Sequence, residues 1–190
     1  AACSSNICRN LTSLTAQNVT FNVSYWTKYE IGEGGGLSSC GTLGAANTYY
    51  RVVNNINTAG TCFTITANNI TLDGQGFNVT GNTTGYGTDV SSRVNITVKN
   101  VAIFNFTTGV YLSGTNYSFV ISSKFINNTQ DGIQISSSIN VTIKDNLFSN
   151  NSQNGILLQS NSNNNTLENN TLELNNYGIQ LSSSTENKIL

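Results

Sequence analysis

The sequence predicts an all-β protein: a right-handed, single-stranded parallel β-helix of about 23 residues per coil, preceded by an extension that carries one strand. Three observations predict it. Gly109, Gly132, Gly155 and Gly178 recur at one constant interval. Branched aliphatics stand one and three positions after each: Val110 and Leu112, Ile133 and Ile135, Ile156 and Leu158, Ile179 and Leu181. A Ser- or Asn-rich stretch then closes each block, as at Ser113, Ser136-Ser137-Ser138, Gln159-Ser160-Asn161 and Ser182-Ser183-Ser184. Alternation with a period of two is the mark of a strand with one buried face. One such coil cannot bury its own face, but stacked coils fill a shared tube with Ile, Val, Leu and Phe.

Each element follows in chain order. Residues 1–36 form an N-terminal extension in which Val19, Phe21, Val23 and Tyr25 alternate with polar residues, so a strand is expected there. The run Gly32-Glu33-Gly34-Gly35-Gly36 reads as a linker; no strand–loop–helix context supports a phosphate loop. Residues 37–190 form the β-helix. Its repeat glycine is expected to supply a positive φ or a tight bend before the first strand of the coil. A second strand per coil places Ile96 and Val98, Phe119 and Ile121, Val141 and Ile143, and Leu167 in the core. A third short segment does the same with Val101 and Ile103, Phe125, Phe148 and Leu172. Asn128, Asn151 and Asn175 recur just before the glycine and are expected to stack as an inward amide ladder. A leucine-rich repeat of the same length requires L-x-x-L-x-L blocks, which are absent.

Composition limits the function. Only 17 of 190 residues are charged and the net charge is −1, so nothing marks a nucleic-acid surface. Solubility rests on 32 Asn, 24 Thr and 22 Ser. No His or Met is present, which removes the commonest general base and two common metal ligands. No apolar run approaches the ~20 residues of a membrane span. The opening Ala1-Ala2-Cys3 fits a chain matured by cleavage of a signal peptide, and hence an extracellular or cell-surface product. Cys3, Cys8, Cys40 and Cys62 read as two disulfides made in an oxidising compartment. Three pairings are possible, and Cys3–Cys8 with Cys40–Cys62 is preferred.

From Cys40 the chain reads CGTLGAANTYYRVVNNINTAGTCFTITANNITLDGQGFNVTG. This block resembles the start of parallel β-helix repeat proteins of archaeal cell surfaces, related to the pectate-lyase-like, NosD-like and carbohydrate-binding/sugar-hydrolase group. Cys40, Tyr50, Cys62, Ile65, Ala67, Asn69, Leu72, Asp73, Gly76 and Gly81 occupy the matching positions. The resemblance implies that Cys40 and Cys62 tie the first coil together.

Fourteen N-x-[ST] sequons begin at Asn10, Asn18, Asn22, Asn69, Asn78, Asn82, Asn95, Asn105, Asn116, Asn127, Asn140, Asn150, Asn164 and Asn169. With 46 Ser and Thr among 190 residues, about eight would arise by chance. The alternation of polar and apolar residues itself produces such triplets, yet it also leaves the Asn in solvent, where a glycan can attach. Many are expected to be modified, and any Asn facing the interior is expected to be bare.

Of the nine acids, only Asp145 and Glu168 lie one repeat period apart, a pair insufficient for a lyase or hydrolase site. The sequence therefore leads to the expectation of a protein that is not an enzyme and holds no cofactor or metal. Its role would be that of an N-glycosylated structural subunit of a surface filament or layer, a homopolymer joined through solenoid ends or the N-terminal strand. A secreted polysaccharide-binding module, with Tyr111, Tyr117 and Tyr177 as candidate contacts, is the alternative; a polysaccharide lyase or hydrolase comes third.

Overall fold

The computed structural model describes residues 8–10, 21–23 and 36–190. Within the unit Ala1–Gly32, Cys8–Asn10 pairs antiparallel with Phe21–Val23, which lies inside the expected strand. The proposed partner of Cys8, Cys3, falls outside the described residues, as do Asn18 and all but the last glycine of the linker.

The unit Glu33–Leu190 is a parallel β-solenoid of about six coils with no helix. Each coil contributes one strand to each of three parallel sheets, here called faces 1, 2 and 3. In one coil these are Thr108–Ser113, Phe119–Ile121 and Lys124–Ile126. Face 1 has seven strands, face 2 eight and face 3 six, each strand pairing with its counterpart one coil away. Val110, Ile133, Ile156 and Ile179 are register partners up face 1, as the glycine period requires. The core is the continuous tube they help fill, with Phe125 stacked on Phe148 at 5.1 Å between ring centroids. Such side chains each contribute ~1.5–3 kcal/mol of gross burial.

The period is not uniform. Up face 2 the inward register partners are Tyr50, Leu72, Val98, Val120, Ile143, Leu167 and Ile189. The steps between them are unequal: the longest runs from Leu72 to Val98, and the shortest run from Tyr50 to Leu72, Val98 to Val120 and Leu167 to Ile189. Two expectations are corrected by this. The coil from Val98 to Val120 is one residue short, so Val120 faces inward, while Phe119 is exposed and Ile121 lies on the outer surface, half-buried. The coil from Ile143 to Leu167 is one residue long, so Glu168 aligns with Lys144 rather than with Asp145. Lys144 Nζ donates to Glu168 Oε1 at 2.7 Å, an ion pair where two acids were expected to stack.

The repeat glycine also has a different cause from the one expected. None of Gly109, Gly132, Gly155 and Gly178 has positive φ. A Cβ on Gly132 would lie 2.6 Å from the Gly155 carbonyl and 2.5 Å from the Phe148 ring. At Gly109, Gly132 and Gly155 glycine stands because the next coil and the core leave no room for a methyl group; Gly178, on the last coil, is not crowded in this way.

Polar columns complete the interior. Asn128 Nδ2 donates to Asn151 Oδ1 and Asn151 Nδ2 to Asn175 Oδ1, each at 2.9 Å, so the expected inward ladder is present. A second column, unforeseen, runs through Ser123, Asn146 and Asn170. None of the interior Asn128, Asn146, Asn151, Asn154 and Asn165 begins a sequon.

Asp131 is the exception among these buried groups. Its Oδ1 accepts from the backbone N–H and Nδ2 of Asn154, at 3.1 and 2.7 Å. Burial pushes its carboxyl above the usual value, against those hydrogen bonds. A carboxyl with a raised folded pKa stabilises the fold while protonated, below about pH 4, and that contribution is lost as pH rises through the folded value. Asp131→Asn keeps the accepting oxygen without the charge. At pH 7 its melting temperature is expected to exceed that of wild type by a few degrees, at about 2–4 °C per kcal/mol. Melts repeated near pH 4 are expected to show the difference closing; an equal gap at both pH values contradicts the assignment.

Candidate functional site

The corner between faces 2 and 3 turns on one left-handed residue per coil: Gln75, Asn100, Ser122, Asp145 and Asn169, with φ between 51° and 57°. These residues line two grooves along the solenoid. The larger, about 580 Å³, is bounded by Gln75, Asn100, Phe104, Ser122 and Lys124. The smaller, about 380 Å³, continues past Lys124 to Asp145 and Asn169.

Beside the larger groove, face 2 carries a buried carboxylate on its outer surface. Leu72 faces the core, so its neighbour Asp73 faces out, yet Asp73 is only 2% exposed. Side chains from three coils cover it. The Tyr49 hydroxyl donates to Asp73 Oδ2. Oδ1 accepts from the Gln75 backbone N–H at 2.9 Å and from Asn100 Nδ2 at 3.2 Å. Lys99 Nζ lies 3.4 Å from Oδ2 and 5.3 Å from the centre of the Tyr49 ring. Arg51 and Lys99 are the register partners of Asp73 on the two flanking coils.

Burial alone would raise the Asp73 pKa. The hydrogen bonds from Tyr49, Gln75 and Asn100, together with the Lys99 charge, outweigh it and hold the carboxyl below its usual range. The same hydrogen bond is the main cause that raises the Tyr49 phenol, followed by burial and the Asp73 charge. At neutral pH the pair is thus carboxylate and phenol, flanked by two cations. That arrangement can hold an anionic group at Lys99 and Arg51 and relay a proton between Tyr49 and Asp73.

The sequence singled out Asp73 only for its place in the Cys40–Gly81 block and did not foresee Tyr49, Lys99 or Arg51. A short coil from Tyr50 to Leu72 and a long one from Leu72 to Val98 bring these residues into register, and a fixed period conceals the alignment. No group of three or more His, Cys, Asp or Glu suited to a metal ion occurs among the described residues.

The other expected positions scatter. Cys40 and Cys62 are disulfide-bonded, with Cα atoms 4.5 Å apart. Eleven sequon asparagines lie in the described solenoid and none is buried. Eight of them, Asn69, Asn95, Asn105, Asn127, Asn140, Asn150, Asn164 and Asn169, have φ between 51° and 58°. Asn78, Asn82 and Asn116 do not, while Asn10 and Asn22 lie in the N-terminal strand pair. Tyr111 is half-buried on face 1, Tyr177 is exposed on the same face at the start of its last strand three coils away, and Tyr117 is exposed outside the strands, so the three do not converge.

The family described as "Right handed beta helix region" matches residues 38–190. No curated protein matches the chain in sequence. Among solved structures, the chain is similar to an alginate lyase from Paenibacillus, at 13% identity and a TM-score of 0.55, covering 75% of this chain and 65% of that one. It is also similar to the enzymatically active domain of tailspike protein 2 of bacteriophage CBA120 (17% identity, TM-score 0.49, covering 76% and 27%). A third likeness is to the A-module of a mannuronan C-5 epimerase from Azotobacter vinelandii (14% identity, TM-score 0.43, covering 78% and 60%). The chain spans less than two thirds of the length of each of these proteins. The expectation that the chain is not an enzyme is corrected at this point. It rested on counting aligned acids, whereas the same coil stack carries a protein named as a lyase, and an ionisable cluster that the acid count missed sits beside a groove.

Proposed function

The chain belongs to the right-handed β-helix family, and from that premise we propose that it binds an acidic polysaccharide along the face 2–face 3 corner and acts on it at Tyr49, Asp73 and Lys99. The observation that carries this reading is the buried, outward-facing Asp73 carboxylate, held by Tyr49 and flanked in register by Arg51 and Lys99. Lys99 and Arg51 would offset the charge of a uronate, which makes its neighbouring C–H more acidic. The Tyr49 oxygen would take that proton as its own passes to Asp73. Delivered to the glycosidic oxygen, the proton completes an elimination: the carbon–oxygen bond to the leaving sugar breaks, the C–H electron pair becomes the new double bond, and the chain is cut. The alginate lyase shares the fold, and its substrate class is the first to test.

The test is incubation with alginate and polygalacturonate, reading the ultraviolet absorbance of the unsaturated product and, separately, binding by calorimetry. Wild type is expected to bind a polyuronate. Lys99→Ala is expected to weaken binding about tenfold, the loss of one charge-assisted contact. Tyr49→Phe is expected to bind but give no product. Failure of wild type to bind either polymer overturns the reading.

An extracellular, N-glycosylated setting belongs to the same proposal. The Cys40–Cys62 disulfide supports it, as do the eleven unburied sequon asparagines. End-to-end association of coil stacks is compatible with that setting and would appear as concentration-dependent sedimentation.

A further inference from the structure

A second cluster occupies the outer surface of face 1. Asp89, Tyr111 and Gln134 are register partners on three successive coils. They point outward because Val90, Leu112 and Ile135, the next residue along each strand, are buried. The Tyr86 ring stacks on the Tyr111 ring with centroids 4.9 Å apart and planes 16° from parallel. All four side chains are half-buried rather than covered. The Phe125–Phe148 stack has the same geometry but lies in the core, where it serves packing alone.

The charge environment differs from that of Asp73. Asp89 has no cation within ion-pair distance among the described residues, and its one side-chain partner is the Ser91 hydroxyl at 3.4 Å. Burial raises its carboxyl above the usual range, and the Tyr86 phenol is raised too, by burial first and then by Tyr111 and Asp89. A carboxylate without a cation repels a uronate and accepts well from neutral hydroxyls. Two rings stacked face to face cover one face of each other and leave an outer face on either side of the pair, whereas an ammonium group is best held by ring faces gathered around it.

We propose that Tyr86, Asp89, Tyr111 and Gln134 form a binding platform for a neutral polysaccharide, separate from the acidic-glycan groove. An outer ring face of the stacked pair packs against the apolar C–H face of a sugar, and Asp89 with Gln134 takes its hydroxyls. The two platforms would select glycans by opposite charge logic.

The experiment is retention of the full chain in affinity gels containing β-glucan, mannan or xylan, beside gels containing polygalacturonate or chitosan. Wild type is expected to be retarded by at least one neutral polymer. Tyr111→Ala and Asp89→Ala are expected to weaken that retention at least tenfold while leaving polyuronate behaviour unchanged. Tyr111→Phe keeps the stack and is expected to bind near the wild-type level, which separates loss of the platform from loss of the fold. Lys99→Ala is expected to leave neutral-glycan retention intact, so the platform and the groove fail independently. No retention of wild type by any neutral polymer overturns the proposal, as does unchanged retention in Tyr111→Ala and Asp89→Ala. Retention by chitosan alone also overturns it and assigns the carboxylate to an amine.

Discussion

Asn151→Ala is expected to destabilise the solenoid by about 4 kcal/mol, the largest effect of any single side-chain removal considered. Asn151 Oδ1 accepts from the Asn128 backbone N–H at 3.2 Å and from Asn128 Nδ2 at 2.9 Å. Its Nδ2 donates to the Phe125 carbonyl at 3.1 Å and to Asn175 Oδ1 at 2.9 Å. Alanine removes all four bonds and leaves polar groups on both sides without partners in a place water does not reach, each costing ~1–3 kcal/mol. The neighbouring residue is the control. Asn150 is exposed at φ 55°, a conformation glycine adopts freely, so Asn150→Gly is expected to change stability by less than about 1 kcal/mol. Urea melts of the two variants check the contrast. Equal losses would mean that the inward ladder does not carry the load assigned to it.

Gly132→Ala is expected to cost about 3 kcal/mol through a single methyl group. The added carbon would sit 2.5 Å from the Phe148 ring and 2.6 Å from the Gly155 carbonyl, and also 3.1 Å from Asn151 Nδ2. A ring end can yield a little, but a carbonyl fixed between two coils cannot move without opening the pairing around it. Gly178→Ala is the matched substitution, because its nearest neighbour is the Leu172 Cβ at 3.7 Å, an ordinary contact. Melting temperatures are expected to fall by about 6–12 °C for the first, at 2–4 °C per kcal/mol, and little for the second. A comparable fall in both would point to strand conformation rather than crowding as the reason for glycine.

Face 1 was legible in the sequence because its strands alternate cleanly and its last coils keep a fixed length. Ile135, Leu158 and Leu181 are register partners at equal spacing. Face 2 was partly misread, because coil length is adjusted at the corners, which alternation does not report. Consecutive left-handed residues, Ser160 and Asn161, mark the longer coil between Ile143 and Leu167. A constant period carried past that corner pairs the wrong residues, which is how Asp145 and Glu168 came to look like neighbours. The inward Asn ladder was legible from recurrence before the glycine. The Tyr49–Asp73–Lys99 cluster was not. Its members come from a short coil followed by a long one, and no local pattern links a Tyr to an Asp on the next coil.

The left-handed corners have a consequence for how acceptor motifs are counted. A corner that needs positive φ favours Asn among non-glycine residues, the next position must turn an apolar or amide side chain inward, and the one after that returns to the surface, where Thr or Ser is at home. Asn95-Ile96-Thr97 and Asn140-Val141-Thr142 arise in this way from backbone demand alone. Selection for bending the chain therefore writes the N-x-[ST] triplet as a by-product. Eight of the eleven sequons described in the solenoid stand at such corners, so backbone demand accounts for most of their number whether or not a sugar is attached.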